Sequence, residues 1–285
     1  MNRVTYSIAS SWYNVEKMRF AWREALENWL SFLSNDGQLV IAINTSEDDS
    51  PTLVRDWVKK WQAEHLSSTT KIDIIDIAIP YTDPAFDGTG KAAAQAACTE
   101  PFVILLDCDE RLVPSMRRAW DRLAVELDRS PYEAFLVPVV DLMGDEEHAK
   151  SAGAKWYLAK NLPHLTRGVV KHAWNEDGVS FRTDVSDSCE LIHRETGELA
   201  RTASIMAPGL SSYMIVAALE GGETPFVHHL GWLDYEQRLR QSAFWRPIWD
   251  QRAGTPGKEP SLALQTLHDM PRFRHSLPNW REGMR

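Results

Sequence analysis

The sequence has little cysteine, no long apolar run and no surplus of positive charge, and each shortage excludes a class of protein. Its 285 residues include only Cys98, Cys108 and Cys189, an odd number, widely spaced and without a C-x-x-C pair. They fit reduced thiols and not a disulfide framework or a cysteine zinc site. The longest apolar stretches, Phe102–Leu106 and the proline-interrupted Ala134–Val140, fall far short of the roughly 20 residues that a membrane helix needs. Met1 to Ser7 lack the apolar segment of a secretory signal and lead directly into strand-like sequence, which predicts a cytoplasmic protein. A formal charge of -9 argues against a general nucleic-acid binder, which needs a positive surface. Familiar catalytic motifs are missing as well. Phe86–Ala92 mimics a P-loop, but Ala85 stands where the first glycine belongs and Ala92 where a Ser or Thr would hold Mg²⁺. There is no G-x-S-x-G elbow and no H-E-x-x-H pair.

What remains is an ordinary globular composition, 44% hydrophobic and 25% charged, with 12 tryptophans. The length allows two small domains or one large α/β domain. Val4–Ala9 reads as a strand, and Asn14 is a good N-cap for a helix carrying Met18, Trp22, Leu26, Trp29 and Leu33 at helical spacing. Gln38–Ile43 is an almost wholly apolar strand, and Ser50-Pro51 is a cap with proline at the first helical position, before Leu53, Val54, Trp57, Val58 and Trp61. Lys71–Ile79 alternates as a third strand, Gly90–Cys98 is Ala-rich and helical, and Phe102–Leu106 is a fourth strand. A helix over Pro114–Leu127 and a strand over Ala134–Val140 continue the alternation, which predicts a largely parallel sheet covered by helices. From Asp141 to Arg201 the pattern loosens into insertion-like loops, with short strands expected only at Lys155–Leu158 and Val179–Arg182. Beyond it come a helix over Ser211–Leu219, a strand over Pro225–Leu230 and an amphipathic helix from Asp234 to Trp245.

The chemistry concentrates where the fourth strand runs into Asp107-Cys108-Asp109-Glu110. A buried strand in an open α/β sheet delivers the residues after it to the carboxyl edge, where such sheets bind ligands. Side chains two apart on extended backbone point the same way, so Asp107 and Asp109 are placed to share a hard cation or to divide it with ligand hydroxyls. The alternative is an acidic turn capping the helix near Pro114.

The run from Gly88 to Pro101 into this strand and acidic pair resembles the GT-A glycosyltransferases, in particular family 2, in which a small-residue helix, a strand and the D-x-D motif occur in this order. Ser7–Asn14 looks like that family's first strand and turn, Asn44–Ser50 occupies the place of its second-strand loop, and Val227–Trp232 resembles its C-terminal His-x-Gly element. The resemblance covers residues 3 to 140 well and 160 to 250 loosely. It implies a GT-A, Rossmann-like, mostly parallel sheet with a C-terminal helical extension. Residues 1–140 would be the nucleotide-sugar half, 141–250 the acceptor and catalytic half, and 251–285 a tail. It also implies a nucleotide-diphosphate sugar donor and a Mn²⁺ or Mg²⁺ ion. Ser10, Asn14, Asn44, Asp48 and Lys91 fall near the donor, Asp107 on the ribose or the metal, and Asp109 and His229 on the metal; the alternative for His228 and His229 is a pair satisfied by backbone. An inverting enzyme needs a carboxylate base, for which Asp177 and Glu176 in Asn175–Gly178 are the best match, with Asp184 and Asp187 as competitors and an acidic Asp-Gly turn as the alternative.

Two departures bear on donor recognition: Ala94 or Gln95 stands where the family often has Asn, and Asn44 where it has Asp. No Q-x-x-R-W element of processive synthases is present, which favours transfer of a single sugar. Sugar nucleotidyltransferases carry a Gly- and Arg-containing loop after strand one, where this chain has Ser10–Asn14. The acceptor is left open among glycan, small molecule, protein and modified nucleic-acid base, and the reading from another class is a GT-A-like module that binds a nucleotide sugar or glycan without turnover. Residues 231–285 hold nine Lys and Arg against six Asp and Glu, so this end is mildly basic. Trp22, Trp29, Trp57 and Trp61 are expected in the core, whereas Trp156, Trp174, Trp232, Trp245 and Trp249 fall in the half expected to meet the acceptor.

Overall fold

The computed structural model describes residues 4–80, 83, 86–169, 172–174, 180–182, 189–234, 236–241, 243 and 272–284. Its first half alternates strictly: β1 (Tyr6–Trp12), α1 (Trp22–Leu33), β2 (Gln38–Asn44), α2 (Ser50–Glu64), β3 (Lys71–Ile77), α3 (Phe86–Ala96) and β4 (Phe102–Leu105). β2 is buried at every position and β1 at all but one, as parallel strands covered on both faces must be. The order β3-β2-β1-β4, parallel throughout, is that of doubly wound nucleotide-binding folds and brings the loops after β1, β2 and β4 to one edge. Close approach of α3 to β1 requires a glycine: a Cβ on Gly90 would lie 2.1 Å from Ser11 Oγ.

The second half is built differently. It comprises β5 (Glu110–Leu112), a 3₁₀ turn at Pro114–Met116, α4 (Arg117–Arg129), β6 (Ala134–Met143), β7 (His148–Lys160), β8 (Leu165–Val169), β9 (His172–Trp174), β10 (Ser180–Arg182), β11 (Cys189–His193), β12 (Thr202–Ser204), α5 (Ser212–Leu219), β13 (Val227–Trp232) and β14 (Phe273–Arg274). β7 enters between β4 and β6, antiparallel to both, while β13 lies parallel to β6 and antiparallel to β5. The main sheet therefore runs β3-β2-β1-β4-β7-β6-β13-β5, with β12 on β6 and β14 on β7. β8 pairs with β11, and β9 with β10, in two small separate sheets.

Two sequence expectations are corrected. The first helix does not follow Asn14: that residue and Arg19 take left-handed backbone (φ 49° and 54°), a turn intervenes, and α1 starts at Trp22. The stretch after Asp141 is not all loop, because β7, 13 residues long, is a central strand. It is rich in Ala and lysine and poor in β-branched residues, so it lacks the composition of a buried strand; Ser151 and Lys155 meet acidic partners, and Lys160 meets the Ser130 carbonyl. Residues 272–284 turn back onto the body. Trp280 is 0% exposed, and its carbonyl accepts a hydrogen bond from Asn28 Nδ2, whose amide also brackets Leu112.

One core runs through both halves, from α1 and β1 to β6, α5 and β13. Trp12 packs against Trp22 and Trp29 with ring centroids 6.1 and 6.0 Å apart, and Trp120 sits edge-on to Phe32. Trp57 and Trp61 pack partly buried on its surface. Among the described residues no helix is long and apolar enough to cross a membrane.

Candidate functional site

The acidic turn after β4 is held from beneath. Arg111, fully buried, donates through Nη1 to the carbonyls of Cys108 and Glu110 (2.9 and 3.0 Å) and through Nη2 to that of Ala21 (2.9 Å). Trp29 Nε1 donates to the Glu110 carbonyl at 3.1 Å. Glu110, 1% exposed, folds under the turn: its Oε2 accepts the Asp107 N–H at 2.8 Å, while Oε1 accepts Lys155 Nζ at 2.6 Å and the Tyr157 hydroxyl. Orphan carbonyls in a dry place are costly, and this frame satisfies them while leaving the two aspartates above it.

Those aspartates have different company. Asp107 lies between two lysines, Lys91 Nζ at 2.9 Å from Oδ1 and Lys155 Nζ at 3.5 Å from Oδ2. Burial alone would raise its pKa, but the two ammonium groups hold it well below the usual carboxylate range. Asp109 faces β13. The register pairs His229 with Glu110 and His228 with Arg111, and alternation along the strand sends the two histidines to opposite faces. His229 Nε2 comes to 3.3 Å from Asp109 Oδ2, and its Nδ1 lies 2.6 Å from Asp141 Oδ1 at the end of β6. Burial opposes a charge on this ring, yet Asp109 and Asp141 push its pKa up to about 10. Burial likewise works against ionisation of Asp109, and His229 overrides it to bring that carboxyl below its ordinary value. Gln241 Nε2 adds a long contact to Asp109 Oδ2 at 3.3 Å. Gly231 is needed for this approach, because a Cβ there would lie 2.8 Å from His229 Nε2 and 3.0 Å from Asp109 Oδ2.

His228 goes the other way. It is buried against Phe226 and His275, and burial, helped by His275, lowers its pKa to about 3, so the ring stays neutral.

The residues expected around the donor all reach the same edge, where most are engaged by the protein. Ser10 Oγ donates to the Leu106 carbonyl (2.6 Å) and accepts from Trp12 Nε1. Asn14 Oδ1 accepts the Glu47 N–H. Asn44 clamps both backbone groups of Ile79, and Asp48 accepts the N–H groups of Lys17 and Ser50. Ser10 ties β1 to the end of β4, and the other three side chains join the turns after β1, β2 and β3 into one rim. Asp177, Glu176, Asp184 and Asp187 lie outside the described residues, as do Trp245 and Trp249. Trp232 is partly exposed, with Lys150 Nζ 3.3 Å and the Arg238 guanidinium 4.2 Å from its ring centroid.

Sequence reasoning missed Glu110, Asp141, Lys155 and Arg238. Asp141 carried a readable signal, a carboxylate ending an apolar strand at the ligand edge; Lys155 carried none, since its approach depends on β7 lying next to β4.

A divalent cation suits Asp109 and His229 better than Asp107. Two ligand atoms each about 2.1 Å from one ion sit roughly 3 Å apart, close to the 3.3 Å observed. An imidazole that binds metal through one nitrogen gives its other N–H to a carboxylate, which Asp141 provides. Both oxygens of Asp107 already face ammonium groups.

No family model and no curated relative matches the chain. Among solved structures it is similar to S. aureus TarS 1-349, with TM-score 0.40 and 10% identity over 93% of this chain and 69% of that one. It is also similar to the same TarS fragment in complex with UDP, with TM-score 0.36 and 15% identity, over 50% of this chain and 37% of the fragment. A further likeness is to the inositol-1-phosphate CTP transferase from T. maritima, with TM-score 0.34, 10% identity and coverages of 85% and 96%. The UDP complex is thus matched over little more than a third of its length. The chain's own strand order and the edge at which its site gathers define its class: a mixed α/β protein of GT-A-like, Rossmann-like fold.

Proposed function

We propose that the chain is a metal-dependent glycosyltransferase that moves a single sugar, with inversion, from a nucleotide-diphosphate sugar to an acceptor. The observation that carries this reading is the meeting of Asp109 and His229 at the carboxyl edge, with His229 oriented by Asp141 and two lysines beside Asp107. In this reading Asp109 and His229 hold Mn²⁺ or Mg²⁺, which as a Lewis acid neutralises charge developing on the leaving diphosphate. Asp107 orients Lys91 and Lys155 toward the same phosphates and faces the ribose. Ser10, Asn14, Asn44 and Asp48 keep the rim in the shape that receives the nucleoside. A carboxylate from the 175–178 segment, Asp177 or Glu176, takes the acceptor's hydroxyl proton as the new C1–O bond forms and the C1–O bond to phosphate breaks.

The direct test incubates the protein and Mn²⁺ with a panel of UDP-, GDP- and TDP-sugars and measures nucleoside diphosphate release. Release from one donor that is lost in Asp109→Asn supports the reading. A protein that binds a donor in a thermal-shift screen but never releases the diphosphate is instead a binding module, and one that does neither refutes both.

A further inference from the structure

A second group of metal-ligating side chains lies at the opposite end of β6, roughly 25 Å from Asp141 at about 3.3 Å per strand residue. Glu133 immediately precedes β6, His164 precedes β8 and His193 ends β11. Among the described residues these are the one set of three whose ligand atoms all lie within 4.8 Å of one another. Glu133, 3% exposed, receives His164 Nε2 on Oε1 at 3.3 Å and His193 Nε2 on Oε2 at 3.1 Å. The two imidazoles stack with centroids 5.1 Å apart. The Arg201 N–H fixes the carboxylate at 2.7 Å, and the exposed Arg201 guanidinium reaches Oε1 at 3.5 Å.

We propose that Glu133, His164 and His193 form a Zn²⁺ site distinct from that at Asp109. Two imidazole nitrogens and one carboxylate oxygen are the donor set that borderline ions such as Zn²⁺ prefer over Mg²⁺. Each imidazole nitrogen lies 3.1 to 3.3 Å from one of the two carboxylate oxygens, close to the roughly 3.3 Å between neighbouring ligands of a tetrahedral shell with bonds near 2.0 Å, and all three ligand atoms lie within 4.8 Å of one another. A carboxylate ligand oriented by a backbone N–H is the support such sites show. His164, with its side chain 48% exposed, gives the ion a route in and leaves a fourth position for water. The site clips together three separate pieces of chain. Because His193 pairs with Leu165, the ion would fasten both roots of the excursion over residues 165–193 to the start of β6.

The test uses the full chain carrying Asp109→Asn, so that the other cation site is removed. After dialysis against Zn²⁺ we expect one equivalent of the ion by elemental analysis. Tm should rise by roughly 5 °C when free Zn²⁺ is a hundredfold above its dissociation constant, with no rise in Mg²⁺. Co²⁺ in its place should give the visible absorption of a tetrahedral ion. His164→Ala, at a half-exposed position, should fold as the parent does by circular dichroism and lose both the bound ion and the Tm rise; His193→Ala should do the same. Lack of a stoichiometric ion in the parent, or Zn²⁺ binding that survives in His164→Ala, overturns the site.

Discussion

The two ends of β6 carry the same two kinds of side chain in opposite proportion. At the carboxyl end one imidazole, His229, stands between two carboxylates, Asp109 and Asp141. At the amino end one carboxylate, Glu133, stands between two imidazoles, His164 and His193. In each cluster the partners favour the charged form of the shared group. His229 is driven up to about 10 against the pull of burial; Glu133, which burial alone would raise, is brought down to about 2 by the Arg201 N–H and the two histidines. The difference lies in what surrounds each cluster. The carboxyl end also gathers Asp107, Glu110, Lys91 and Lys155. The amino end is compact, and its carboxylate is fully used.

That contrast predicts function lost at one end and stability lost at the other. The largest effect expected is from Asp109→Asn, which should reduce metal-dependent donor cleavage by about a thousandfold or more, as removal of a key electrostatic group does, with little change in Tm. Asp141→Asn leaves Asp109 in place but releases the His229 ring; a loss of roughly 10- to 100-fold in Mn²⁺ affinity or turnover is expected, measured by titration of activity with metal. Glu133→Gln should lower stability by about 2 kcal/mol, because charge-assisted bonds from His164, His193 and Arg201 are replaced by weaker ones and one clash of donors. Urea denaturation would read it, and a stability equal to the parent's would dissolve the contrast. The smallest effect is that of Gly231→Ala, whose new methyl presses on His229 and Asp109. Metal affinity should fall by roughly tenfold or less, on the scale of a supporting contact, while Tm stays close to the parent's.

The parts legible in the sequence were those where pattern and packing agree. The run of β1, β2 and β4, the proline-capped α2 and the placement of Asp107 and Asp109 at the ligand edge come from local apolar spacing and turn chemistry. So does His229, two residues before a glycine that has to be small. The amino-end cluster was not legible: Glu133, His164 and His193 are separated by 30 residues or so at each step, and only the pairing of β8 with β11 brings them together. β7 was hidden because its lysines meet an acid pair, a carbonyl and an aromatic ring rather than water, so its charge imitates a loop. Asn14, Asn44 and Asp48 hold the turns at this edge together, and a single chain's letters do not distinguish a side chain that faces a ligand from one that ties two turns together.

The bond between Asn28 and the Trp280 carbonyl spans 252 residues. At about 5–20 residues per second, the ribosome takes between roughly ten and fifty seconds to bring the second partner to the first. Throughout that interval Asn28 Nδ2 on α1 has the Leu112 carbonyl as partner but not that of Trp280. Nascent-chain folding therefore cannot finish domain by domain from the front. The parallel strands can pair early and be covered by α1 and α3, but the contact that ties α1 to Trp280 is the last to form.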